Sequence, residues 1–240
     1  MPHPAVWHAH QLGRQGPSGW STGFAELDAE LPGGGWPAQA LTELLLPHPG
    51  VGELRLLAPV LAALQRGGHG TLLFDPPAEP AAAALAALGI DVRPWIVVRG
   101  RVELRGAARE RLPAADTLWA LEQALHSGLA GGVLAWLPAA LRIDALRRLQ
   151  LAAQAHEGPA FVLRNVQARL APSPAPLRLL LAAAGPDGLR VRLLKRRGPP
   201  LERPLTLALP PVLAPAARAA RPRATAGADA CLHAETVRPA

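Results

Sequence analysis

Ala40-Leu41-Thr42-Glu43-Leu44-Leu45-Leu46, then Pro47-His48-Pro49-Gly50-Val51-Gly52, then Glu53-Leu54-Arg55-Leu56-Leu57, is the stretch that sets the fold of this chain. Ala40 to Leu46 is an apolar run of strand length. From Glu53 to Gln65, Leu54, Leu57, Leu61 and Leu64 recur at helical spacing, with Leu56 and Val60 beside them. Gly67 and Gly68 stop that helix. A strand, a glycine-containing loop and a helix open an α/β sheet, and the loop lies where such sheets bind phosphate.

The alternation continues outward. Thr71 to Phe74 reads as a strand ending at Asp75, Pro80 to Leu88 as an Ala-rich helix closed by Gly89, and Trp95 to Val98 as a strand. Asp116 is expected to cap a helix running to Ser127, with Leu118, Leu121 and Leu125 on one face and Gly128 beyond its end. Gly132 to Leu137 is a strand, Asp144 is expected to cap a helix to His156, and Ala160 to Leu163 is a strand. Strands separated by single helices imply right-handed crossovers and a parallel sheet. Leu177 to Ala184 and Leu189 to Arg196 flank the turn signal Gly185-Pro186-Asp187-Gly188, and Leu205 to Leu209 adds a short strand. The expected class is therefore α/β: a mostly parallel sheet flanked by helices, with a C-terminal antiparallel hairpin. Gly100 to Ala115, with its mixed charges, reads as a solvated loop or short helix.

Composition agrees with one folded unit. The 240 residues are 50% hydrophobic and 18% charged, with 27 prolines and 23 glycines to make turns. Residues 1–20 read as a flexible arm, 21–213 as the folded domain and 214–240 as a disordered Ala/Pro/Arg tail. A single cysteine, Cys231, excludes an internal disulfide and a Cys-rich zinc site. No apolar run reaches membrane-spanning length, and the N-terminus lacks a signal-peptide pattern, so a cytoplasmic location without membrane attachment is expected. The net charge of +7 supports weak steering toward nucleic acid rather than sequence recognition.

The chemistry of the loop departs from its position. A nucleotide loop cradles phosphates with backbone N–H groups, and Pro47 and Pro49 have none. It also needs a lysine and a Ser/Thr hydroxyl, where this chain has Glu53 and Leu54. A carboxylate at about 4 Å from a phosphate charge repels it by about 4 kcal/mol at an effective dielectric of 20. The one lysine of the chain, Lys195, lies far from the loop in sequence. Asp75 is followed by Pro76 and Pro77, and the strand Val133 to Leu137 ends with Trp136 where a metal-binding Asp belongs. The loop Gly50, Gly52, Glu53, Leu54 is thus read as a degenerate nucleotide site, with no cofactor, no metal and no catalytic residue expected.

Ser21-Thr22-Gly23-Phe24-Ala25-Glu26-Leu27-Asp28, Leu31-Pro32-Gly33-Gly34-Gly35-Trp36-Pro37 and Leu41-Thr42-Glu43-Leu44 resemble the start of a RecA-type core. Within that superfamily, Leu31 to Leu46 and Glu53 to Pro59 resemble the ImuA family, the SulA-related proteins of bacterial translesion-synthesis cassettes. Asp116 to Leu125, Val133 to Pro138, Leu146 to Ala153 and Leu193 to Gly198 add to the likeness, which spans Trp7 to Leu209. It departs from the family pattern at Gly100 to Ala115 and in the tail. The resemblance implies a RecA-like core and a non-catalytic accessory role in SOS-induced, error-prone DNA synthesis past damage. Its implied partners are an ImuB-type relative of Y-family polymerases and an error-prone C-family polymerase. RecA's nucleotide residues do not carry over: Glu53 replaces the lysine, Leu54 the Ser/Thr, Pro77 the catalytic Glu and Trp136 the metal-binding Asp. The alternative is a SulA-like division inhibitor that binds FtsZ.

Two basic groups are candidate contacts for DNA phosphates or an acidic partner face: Lys195-Arg196-Arg197, and Arg147-Arg148 with Arg142 nearby. A solvated strand end and helix face are the plain alternatives. Trp7, an aromatic in a polar arm, is a candidate partner anchor. Trp36, Trp95, Trp119 and Trp136 read as core or interface anchors. Gly19-Trp20-Ser21-Thr22-Gly23 fits a nucleophile-elbow pattern, but no strand precedes Ser21, so Ser21 or Thr22 is read as the cap of a helix from Phe24 to Leu31. Self-association is compatible with the fold.

Overall fold

The computed structural model describes residues 19–100, 102–104, 111–113 and 115–212. Its elements, in chain order, are α1 (Ala25–Asp28), β1 (Leu41–Leu46), α2 (Glu53–Arg66), β2 (Thr71–Phe74), α3 (Ala82–Ala86), β3 (Trp95–Val98), β4 (Val102–Leu104), β5 (Arg111–Pro113), α4 (Ala115–Ser127), β6 (Gly132–Trp136), α5 (Ile143–Ala153), β7 (Ala160–Asn165), a 3-10 turn (Val166–Leu170), β8 (Leu177–Ala183), β9 (Gly188–Lys195) and β10 (Leu205–Ala208). Eight strands form one sheet in the order β10-β9-β8-β1-β7-β6-β2-β3. The six strands from β8 to β3 are mutually parallel, and β9 and β10 add antiparallel at the β8 side. The expected class, α/β with a mostly parallel sheet and a C-terminal antiparallel hairpin, is what the chain forms.

β1 is buried along its whole length because both sheet faces are covered. On one face Leu44, Leu46, Leu134, Phe161 and Leu179 meet the α2 stripe Leu56, Leu57, Leu61 and Leu64. On the other, Leu41, Val133 and Val162 meet Leu121 and Leu125 of α4 and Leu149 and Ala153 of α5. Trp36 lies edge-on to Phe161, ring centroids 5.2 Å apart, and closes the first core. Gly19 and Trp20, assigned to the arm by sequence, dock on this body: the Gly19 N–H donates to the Gly33 carbonyl, and Trp20 bridges Trp36.

Several expectations are corrected. Gly100 to Ala115 is not simply a loop or short helix, because β4 and β5 pair antiparallel within it. Asp116 and Asp144 do not cap α4 and α5. They sit in the first turns, where a carboxylate still favours the positive end of the helix, and Arg142 holds the cap position of α5. α1 spans Ala25–Asp28, with Phe24 at its cap position. The Thr22 hydroxyl accepts the Phe24 N–H, and the Ser21 hydroxyl donates to Asp28 at 2.8 Å. Trp119 is not a core residue: it is 60% exposed, turned away from Leu121 and Leu125.

Candidate functional site

The loop from Pro47 to Gly52 joins β1 to α2. Gly50 and Gly52 take positive φ angles of 87° and 119°, which turns their N–H groups inward. Glu53 opens α2 and is only 4% exposed. Its Oε1 accepts the Gly50 N–H at 2.7 Å and its Oε2 the Gly52 N–H at 3.1 Å. The Glu53 side chain thus folds back onto these two loop amides. Leu54 turns aside to pack against the first core.

A second layer closes the loop from outside. A Cβ on Gly52 would lie 2.6 Å from Leu209 Cδ1, so the segment after β10 rests directly on the glycine. Arg55, in the first turn of α2, donates to the Pro210 and Pro186 carbonyls at 2.9 Å each, to the Leu209 carbonyl at 3.2 Å and to Asp187 at 2.6 Å. The β8–β9 turn and the chain beyond β10 are thereby strapped over the loop.

The neighbouring strand ends are used structurally. Asp75 takes φ 49° at the end of β2, and its carboxylate accepts the Gly100 N–H at 2.7 Å, tying β2 to β3. Trp136 packs against the first core, and its buried indole N–H has no hydrogen-bond partner. Among the described residues no group of three or more His, Cys, Asp or Glu gathers as a metal site, and no helix is long and apolar enough to cross a membrane.

The basic candidates separate. Lys195 is exposed and donates to the Ser173 carbonyl at 3.0 Å, and Arg197 is exposed. Arg196 is only 11% exposed in its side chain: it pairs with Glu30 at 2.7 Å and also bonds the Glu30 and Pro199 carbonyls. Arg147 pairs with Asp144 at 3.2 Å on α5, and Arg142 reaches the same carboxylate at 3.7 Å. Arg148 bridges to Glu122 on α4, and that hydrogen bond holds its guanidinium still more firmly protonated. The two groups stand on separate elements, Lys195 at the end of β9 and Arg147 and Arg148 on α5. Trp7 lies outside the described residues.

The densest electrostatic cluster was not singled out from sequence. Glu43 on β1, Arg164 on β7 and Arg178 on β8 are buried on adjacent strands. Arg164 Nη1 and Arg178 Nε each reach a different Glu43 carboxylate oxygen at 2.5 Å. Four further guanidinium N–H groups donate to the Pro138, Ala139, Ala168 and Ala171 carbonyls. Two cations share one anion, and the loops after β6 and β7 are fixed by the same side chains. The available signal is a single charged residue inside each of three largely apolar strands.

Comparison of the chain with protein-family models finds no match, and comparison with the curated proteins finds none either.

Proposed function

We propose that this chain is a non-catalytic accessory protein of SOS-induced, error-prone translesion DNA synthesis, built on a RecA-like core whose nucleotide loop has been retired. The observation that carries the non-catalytic reading is the Glu53 carboxylate on the Gly50 and Gly52 amides. An entering phosphate would have to displace that carboxylate and then lie beside its charge, with no lysine in the loop to offset it. The motif set from Ser21 to Gly198 that resembles the ImuA family supports the choice of partner, an ImuB-type relative of Y-family polymerases acting with an error-prone C-family polymerase in the cytoplasm.

Weak contact with DNA belongs to the same proposal, carried by Lys195, Arg197, Arg147 and Arg148. Arg196 is left out because Glu30 and two carbonyls already occupy it. Such contact falls steeply with salt, and charge reversal at Lys195 and Arg197 flattens the slope.

The test is co-purification of the full chain with an ImuB-type protein from the same genome, with FtsZ as parallel bait. A stoichiometric complex with the polymerase relative is the expected result. A complex with FtsZ alone overturns it in favour of a SulA-like division inhibitor. Saturable, Mg²⁺-dependent ATP hydrolysis by the pure protein overturns the reading of the loop.

A further inference from the structure

His156 is 1% exposed, and neither ring nitrogen has a hydrogen-bond partner. Most buried polar side-chain atoms in folded proteins are paired, so an imidazole with both nitrogens orphaned stands out. It sits in the turn between α5 and β7, and that turn is the dock for the N-terminal segment. The His156 carbonyl accepts the Gln39 N–H at 3.0 Å, and the Glu157 carbonyl accepts the Trp20 indole N–H at 3.2 Å. Ala38 bridges Pro159. The packing leaves no slack: a Cβ on Gly158 would lie 1.8 Å from the Gly131 carbonyl oxygen and 3.0 Å from His156 Nε2.

We infer that His156 is an acid-sensitive latch: its protonation opens the 156–159 turn and releases the Gln39 amide and the Trp20 indole N–H from it, while Leu27 and Trp36 stay in the core. The imidazolium would be buried with no acceptor at either nitrogen, whereas the opened turn hydrates it. The charged group acting on the ring is Glu157 of the same turn. Across Gly131, the neighbouring element contributes the titratable ring of His69, whose Cβ lies 2.2 Å from where a Gly131 Cβ would stand. Burial pushes the His156 pKa below the ordinary imidazole value, and Glu157 opposes this only in part. The closed form is therefore the neutral one, and the proton binds the open turn more tightly. This inference is independent of the proposed function.

The test is amide exchange on the full chain at pH 7.5 and pH 5.0, corrected for the intrinsic rate, following the Gln39 amide and the Trp20 indole N–H in wild type, His156→Gln and His156→Leu. Leu61, within α2, is the reference for global opening. Gln39 protection in wild type is expected to fall at the lower pH, because the proton binds the open turn more tightly than the closed one. That exchange should be insensitive to low urea, the mark of a local opening. Both variants should lose most of the pH dependence. The latch is refuted if Gln39 exchanges only with Leu61, if wild-type protection is unchanged, or if a folded variant keeps the full fall. A direct titration of the wild-type His156 ring by NMR serves if neither variant folds, and a ring that titrates at or above the free-imidazole value also refutes it.

Discussion

Replacing Glu43 with Gln should be among the most damaging single changes available in this fold. The carboxylate sits between two guanidinium groups, with 2.5 Å contacts to each, on three adjacent strands at the centre of the sheet. At about 4 Å between charge centres and an effective dielectric of 20, each attraction is about 4 kcal/mol gross, set against the cost of taking the ions out of water. Glutamine keeps the shape but removes the charge. Arg164 and Arg178 are then buried cations facing each other without an anion. Breaking a buried pair this way costs about 3–5 kcal/mol. With a urea slope of about 2–3 kcal/mol/M, the unfolding midpoint should fall by about 1–2.5 M. Arg178→Met is the informative comparison. It leaves the neutral Glu43–Arg164 pair and strips the Ala168 and Ala171 carbonyls of a donor, a loss of about 1–3 kcal/mol. A Glu43→Gln loss under about 1 kcal/mol, or an Arg178→Met loss larger than that of Glu43→Gln, would show that the triad's charge balance does not hold the sheet in the way argued.

Glu53→Ala frees the Gly50 and Gly52 amides and should lower stability by about 1–3 kcal/mol, with faster amide exchange confined to the loop; unchanged exchange there contradicts the capping role. Gly52→Ala meets both a φ of 119° and Leu209 Cδ1 at 2.6 Å, so a loss of about 1–3 kcal/mol is expected. Gly50→Ala has φ 87° but meets nothing within 4 Å and should cost about 1 kcal/mol; reversal of that order in urea melts removes the contact argument. The His156 contribution to stability is intact above the unfolded imidazole pKa of 6.5. Because the folded value is lower, that contribution declines as pH falls from 6.5 toward it. Thermal midpoints should therefore drop through this window in wild type and drop less in His156→Leu, and parallel curves would assign the acid loss to other groups.

The sheet was legible because its strands are short apolar runs bounded by Gly, Pro and Asp, and because each crossover carries one clear helical stripe. The ribbon of β4 and β5 was not. Each strand has three residues, one of them charged, too short to show alternation. Asp116 and Asp144 misplaced two helix starts because Asp is favoured both at the cap and in the first turn. Of the core and interface readings of Trp119, the core one fails, and its helical position relative to Leu121 and Leu125 already turns it outward. At the site, the identity of Glu53 predicted repulsion of a phosphate. Its hydrogen bonds could not be read from the sequence, because they depend on the positive φ angles of Gly50 and Gly52. The Lys195-Arg196-Arg197 run is uniform in sequence; the register irregularity of β9 opposite Arg178 and Leu179 and the strand's end at Lys195 are not readable there, and Arg196 turns to Glu30.

In the proposed reading, losing a nucleotide site is not the same as deleting a lysine. A loop shaped for phosphates turns its amides inward at the head of a helix, and those groups need an acceptor whether or not a ligand is present. In this chain α2 runs fourteen residues and packs its leucines into the main core, so the helix and its preceding loop cannot be discarded. A carboxylate at the first helical position meets both demands. It supplies two acceptor oxygens to Gly50 and Gly52, and it places negative charge at the positive end of the helix dipole. Arg55 then recruits the C-terminal strands as a cover over the same loop. Glutamate at position 53 therefore accounts, in one residue, for the persistence of the loop conformation and, in the proposed reading, for the exclusion of a phosphate ligand.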